Sequence, residues 1–162
     1  MNVIIAGIPK KLSSGVRTHT LSLLSGLKEY NINTSYLSSY PQKFDKLITS
    51  VPYRLLNLFN KDLAFRWKFI TMNQYILKKE LRKMVNENTI INIQSVDWFN
   101  SVKPFLNKND IKVVLTIHGA YGDQLKAKGY SSKTVEKVIQ LEREAFLSIK
   151  QLVAVSPQTA QY

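Results

Sequence analysis

Short runs of β-branched and aliphatic residues, each followed by a segment of helical periodicity, limit the possible folds of this chain most tightly. The clearest run is Lys112-Val113-Val114-Leu115-Thr116-Ile117-His118, which ends at Gly119. Thr89-Ile90-Ile91-Asn92-Ile93-Gln94, Val3-Ile4-Ile5-Ala6-Gly7 and Leu152-Val153-Ala154-Val155-Ser156 repeat the pattern. Runs of this kind mark strands covered on both faces. Asn33–Ser38 alternates instead, and Pro41 stops it. Helical spacing follows the first run over Val16–Leu24. It returns over 63–86, through Phe65, Phe69, Met72, Tyr75, Ile76, Leu77, Leu81 and Val85. Asp97 can cap a short helix to about Asn107, and Ser132 a long one from Lys133 to Lys150. Residues 44–60 read as two amphipathic pieces parted by Pro52, and the stretch after Gly119 as a Gly- and Lys-rich loop. The alternation predicts an α/β fold, a Rossmann-like parallel sheet with helices on both faces.

The chain's 162 residues suit a single domain over 1–162. Cysteine is absent, which excludes disulfides and thiolate metal sites. No apolar stretch reaches the ~20 residues of a membrane span, and the opening run is too short for a signal peptide. A cytoplasmic protein is expected. After Ser156, Pro157 suits the first position of another helix, and the chain ends there like the N-terminal piece of something longer. The net charge of +12 favours anionic partners. Between 41 and 85, ten Lys/Arg face three acids and are interleaved with Phe44, Tyr53, Phe59, Phe65, Trp67, Phe69 and Tyr75. A helix packing its rings on the sheet explains this segment most simply. An anionic membrane surface comes second, at the inner face of the membrane, and nucleic acid last.

Ligands of parallel sheets gather beyond the carboxyl ends of strands. Ser14-Gly15, with Arg17 in the first helical turn, would let a phosphate or sugar approach bare backbone; a flexible Ser-capped connection is the alternative. No GxGxxG or Walker pattern occurs. His19 either reaches a substrate hydroxyl or packs on its helix. His118 is the leading candidate, an imidazole at the sheet edge beside Gly119, able to bond a sugar hydroxyl or take a proton. Asp97-Trp98 reads as a site pair or as an N-cap and a core ring. Glu142 and Glu144 read as a solvated helix face. Ser156 lacks a GxSxG setting, so no hydrolase triad is expected. With His19 and His118 the only histidines, no metal site is expected.

In order and spacing these segments resemble the N-terminal domain of the two-domain GT-B glycosyltransferases, family-4 (group 1) type. Ser14-Gly15-Val16-Arg17-Thr18-His19 matches that family's Gly-Gly-x-x-x-x-His-like loop and helix. Gln94-Ser95-Val96-Asp97-Trp98 matches a His-x-His-Asp-Trp-like segment, and Leu115-Thr116-Ile117-His118-Gly119 a strand end. Glu142 to Ser156 matches a helix with a Glu and an Ile-x-Val-Ser strand. Ser14 replaces the first Gly, and Gln94 and Val96 replace the two His. The resemblance implies transfer of a sugar from a nucleotide-sugar to a carbohydrate or lipid-linked acceptor, with retention and without a metal or other cofactor. It implies His118 on the transferred sugar, Gly15 by the donor diphosphate, and Asp97 with His19 on the acceptor side. The domain with the family's paired-Glu nucleotide motif is missing from these residues, so no activity is expected of them alone.

Overall fold

The computed structural model describes residues 1–7, 15–38 and 43–161. Strands β1 (Asn2–Gly7), β2 (Asn33–Ser38), β3 (Thr89–Ile93), β4 (Ile111–Ile117) and β5 (Gln151–Ala154) form one parallel sheet, ordered β2-β1-β3-β4-β5. Helix α1 spans Gly15–Glu29. A helical hairpin follows β2, with α2 (Lys43–Phe59) and α3 (Lys61–Lys68) joined at Asn60, whose side chain accepts from the Leu63 amide at 3.0 Å. A π-helical stretch (Phe69–Ile76) and α4 (Leu77–Met84) lead to β3. A 3-10 turn (Val96–Trp98), short α5 (Phe99–Val102), α6 (Tyr121–Ala127) and α7 (Ser132–Ser148) complete the framework. The expected Rossmann-like α/β architecture is the observed one.

Strand alternation sorts the core into two faces. Ile4, Ala6, Ile91, Ile93, Val113 and Leu115 share one face and pack with Leu77 and Leu81 of α4, Phe99 and Val102 of α5, Ala145 of α7 and Ile149. Val3 and Ile5 are buried on the other face, where α1 packs on β1 and β2. The chain leaves β1 toward β2 on one side and reaches β3 on the other. Such a reversal opens a crevice at the carboxyl ends of the strands.

Several local expectations are corrected. Pro52 lies inside α2 instead of dividing it. Its apolar positions keep one helical phase on both sides, and packing on α3 outweighs the lost backbone bond. The 63–86 pattern is helical from Lys61 to Met84, but its middle has π turns. The wider i→i+5 turns shift the phase, so that Ile76, Leu77 and Leu81 are buried while Tyr75 is exposed. Ser131, not Ser132, holds the N-cap position of α7, and its hydroxyl bonds Asp62 instead of the helix backbone. Ser95, not Asp97, holds the N-cap position after β3, with Asp97 inside the first turn. The presumed loop after Gly119 contains α6. Beyond Pro157 there is a 3-10 turn (Thr159–Gln161). No helix among the described residues is long and apolar enough to cross a membrane.

Candidate functional site

Polar residues recur at every second position toward the ends of β3 and β4: Asn92 and Gln94 on one, Thr116 and His118 on the other. Period-two spacing puts all four on the α1 face. The register, which pairs Ile93 with Leu115, continues to set Gln94 beside Thr116. Gln94 is 1% exposed, and its amide nitrogen donates to Asn92 Oδ1 and, at 3.3 Å, to Thr116 Oγ1. The Thr116 hydroxyl donates to the same Asn92 oxygen at 3.2 Å. Gln94 Oε1 then faces His118 Nε2 at 3.0 Å. With the amide in this orientation the imidazole carries its proton on Nε2, and Nδ1 is left as the acceptor. Burial, with the neighbouring charge of His19, pushes the His118 pKa down to about 4. At neutral pH the ring is therefore an uncharged acceptor with a fixed tautomer.

The start of α1 meets this ring. The His19 and His118 rings stand edge to face, 5.3 Å between centroids. Val16 lines the same cavity as His118. A Cβ at Gly15 would touch nothing within 4 Å. The first turn of α1 contains no acid, so the positive helix end is not neutralised from within. Arg17 lies toward β2, where its charge opposes the upward effect of burial on the Tyr36 phenol. It is not among the cavity's lining residues. Ser14 lies outside the described residues.

The opposite wall comes from the 3-10 turn and α6. Asp97, Tyr121 and Gln124 line the cavity with His118 and Gly119. Trp98 also borders it, but the residue is buried in the main core. Gly119 has φ +137, a conformation that side chains rarely adopt, and it lets the chain turn from β4 toward α6. Glu142 corrects the expectation of a solvated face. It is buried, and its two carboxylate oxygens accept the amides of Tyr121 (2.5 Å) and Gly122 (3.0 Å), the first two residues of α6. Glu144 is on the solvent side and pairs with Lys103 at 2.5 Å. Burial, then the charge of Asp97, pushes the Tyr121 phenol far up, so it remains a hydroxyl donor at any physiological pH. Ser156 serves its own turn: its hydroxyl lies 2.9 Å from that of Thr159 and accepts the Thr159 amide at 3.2 Å.

The cavity measures about 250 Å³. That is below the about 300–1,000 Å³ of pockets enclosing a drug-sized ligand, and closer to one sugar ring with water. A larger cleft of about 460 Å³ lies where β3 and β4 begin, between Arg82, Glu87, Lys108 and Asp110. Volume alone favours that cleft. Its charges are of both signs, whereas the smaller cavity gathers a buried polar network, a neutral imidazole and a carboxylate at the ligand-binding edge of the sheet. Convergent chemistry decides for the smaller one. Among the described residues no cluster of His, Asp or Glu could hold a metal ion. Sequence reasoning missed Asn92, Thr116, Gln124 and the central role of Gln94; their signal was the polar row at alternate positions in otherwise apolar strands. No protein-family model matches this chain, and no curated protein does.

Proposed function

We propose that this domain binds the sugar side of a glycosyl transfer, as the acceptor half of a GT-B type glycosyltransferase. The observation that carries the reading is that Val16, in the first turn of α1, lines one small cavity with His118, Gln94 and Asp97, while the His19 ring stands edge to face against that of His118. In this reading His118 Nδ1 accepts a sugar hydroxyl, because Nε2 is tied to Gln94 and the ring is uncharged. Asp97 accepts a second hydroxyl from the other wall. The amides at the start of α1 face a diphosphate, helped by roughly half a positive charge from the helix dipole. Gly119 removes the side chain that would otherwise crowd the ring of the sugar. A nucleotide-sugar is larger than this cavity, so the nucleotide end is held elsewhere, in a second domain of the kind the resemblance implies. Transfer proceeds with retention in the same reading.

Amide shifts of the labelled protein, followed during titration with nucleoside-diphosphate hexoses and free hexose phosphates, test the proposal. Perturbations are expected at 15–19, 94–97 and 118–121, and His118→Ala should weaken binding about tenfold, the worth of one hydrogen bond to a desolvated group. Shifts confined to the Arg82–Lys108 cleft would refute it. So would turnover of a nucleotide-sugar by these residues alone.

A further inference from the structure

Helix α2 turns the wrong side outward for a helix of a water-soluble domain. It packs on α3 and on the π-helical stretch, and Thr49, on the side of the helix away from the apolar row, is 2% exposed. The apolar positions Leu47, Val51, Leu55 and Leu58 follow one another at helical spacing and are 64%, 48%, 55% and 78% exposed. Phe59 closes the row at 88%. Scattered exposed leucines are ordinary; a row of them on one side of one helix is not. Leu63, Trp67 and Ile70 add exposed apolar surface on the next helical segments.

We infer that this side of the α2–α3 hairpin docks on an anionic lipid bilayer, lying in the headgroup region with its leucines among the acyl chains. The inference is independent of the transferase reading. Its 17 residues do not form a spanning helix, which leaves the interfacial position for an amphipathic element of this length. Charge selects the occupant. Six Lys/Arg against two acids between 43 and 68, on a chain of +12, complement an anionic surface, each basic residue near it being worth about 1 kcal/mol. The same charge opposes a second copy of this chain, because two such segments would be brought face to face. The α2 row is aliphatic except for Phe59 and offers no donor to nucleic acid, and Phe65 is turned inward against Tyr130. Arg54 is exposed on the same helix, at the border of the apolar row.

Co-sedimentation of the purified chain with vesicles, in the absence of any sugar substrate, tests the inference apart from the transferase reading. Vesicles of phosphatidylcholine with about one third phosphatidylglycerol should retain the protein, and pure phosphatidylcholine should retain several-fold less. The double variant Leu55→Glu, Leu58→Glu should lower retention at least about tenfold with an unchanged far-ultraviolet spectrum. Leu147→Glu, at an exposed leucine of α7, should leave it unchanged. Arg54→Glu gives a second route should the double variant not fold, with an expected loss of several-fold. No retention on anionic vesicles would overturn the inference, as would retention indifferent to the α2 substitutions. It would also fall if a single-stranded oligonucleotide bound with the same sensitivity, or if wild-type dimers were lost in the double variant.

Discussion

At the scale of single residues, the physics of the site is concentrated in His118. Its folded pKa of about 4 lies below the ordinary 6.5. The unfolded chain therefore takes up a proton below pH 6.5 that the folded chain refuses until about pH 4. Stability from this group is complete above the upper value and is lost as the pH falls through the window. Thermal unfolding from pH 7 to 4 should show that slope, and His118→Asn should flatten it. A resonance of His118 titrating near 6.5 would contradict the assignment. Gln94 holds the ring. Gln94→Leu leaves the Thr116–Asn92 bond in place but takes one donor from the Asn92 carbonyl and the acceptor from the half-buried His118 Nε2–H, a loss of about 1–3 kcal/mol. Nitrogen shifts of His118 should also change from a single Nε2–H tautomer to a mixture, which a mere packing defect would not produce.

Single elements illustrate how far sequence reading reaches. The runs over β3 and β4 were legible because a buried parallel strand needs no polar face, so composition and position agree. Asn92, Gln94 and Thr116 were harder, because each looks like an interruption until the register brings them side by side. Glu142 could not be read correctly from its own helix. It sits among exposed neighbours, and only the crossing of α6 over α7 buries it. That crossing is tight: a Cβ at Gly122 would lie 2.5 Å from Ile139 Cγ1 and 3.1 Å from a Glu142 oxygen. Gly122→Ala should destabilise by about 1–3 kcal/mol through overpacking. Glu142→Ala orphans two amides at the start of α6 and should cost a similar about 1–3 kcal/mol. Glu144→Ala breaks an exposed pair and should stay within about 0.5 kcal/mol. Denaturant midpoints of the three variants decide. Equal losses at Glu142 and Glu144 would mean that the cap contributes nothing. Pro52 misleads for a related reason: the local rule that proline divides a helix yields to tertiary packing and an unbroken apolar phase.

For the whole molecule, the question is whether the fold is one cooperative body. The sheet core runs from Ile4 to Ile149. A satellite of Leu125, Val135 and Val138 receives Phe65 from α3 and Tyr130 from the turn before α7. Tyr121 is packed against both. Polar contacts reinforce the satellite. Lys61 Nζ donates to the Lys128 carbonyl at 3.1 Å, and Asp62 accepts the amide (3.1 Å) and hydroxyl (2.6 Å) of Ser131. Those bonds hold the Asp62 carboxyl below its usual range. Both contacts are exposed, so the inward side of α3, Ala64 with Phe65, contributes more to the attachment than they do. Phe65 is half-buried, and Phe65→Ala should cost roughly half of the about 3–5 kcal/mol of a fully buried phenylalanine. The loss should be local. In native-state hydrogen exchange the amides of α2 and α3 should exchange more than about tenfold faster, with those of β3 and β4 unchanged. Equal acceleration in the strands would join the two clusters into one unfolding unit. The distinction bears on function, because the hairpin carries the apolar row while the sheet carries His118. If the satellite opens alone, a surface can bind or release the hairpin without disturbing the Gln94–His118 clamp; Tyr121, packed against both clusters, and the unbroken helical run from α3 into α4 are the links between the two events.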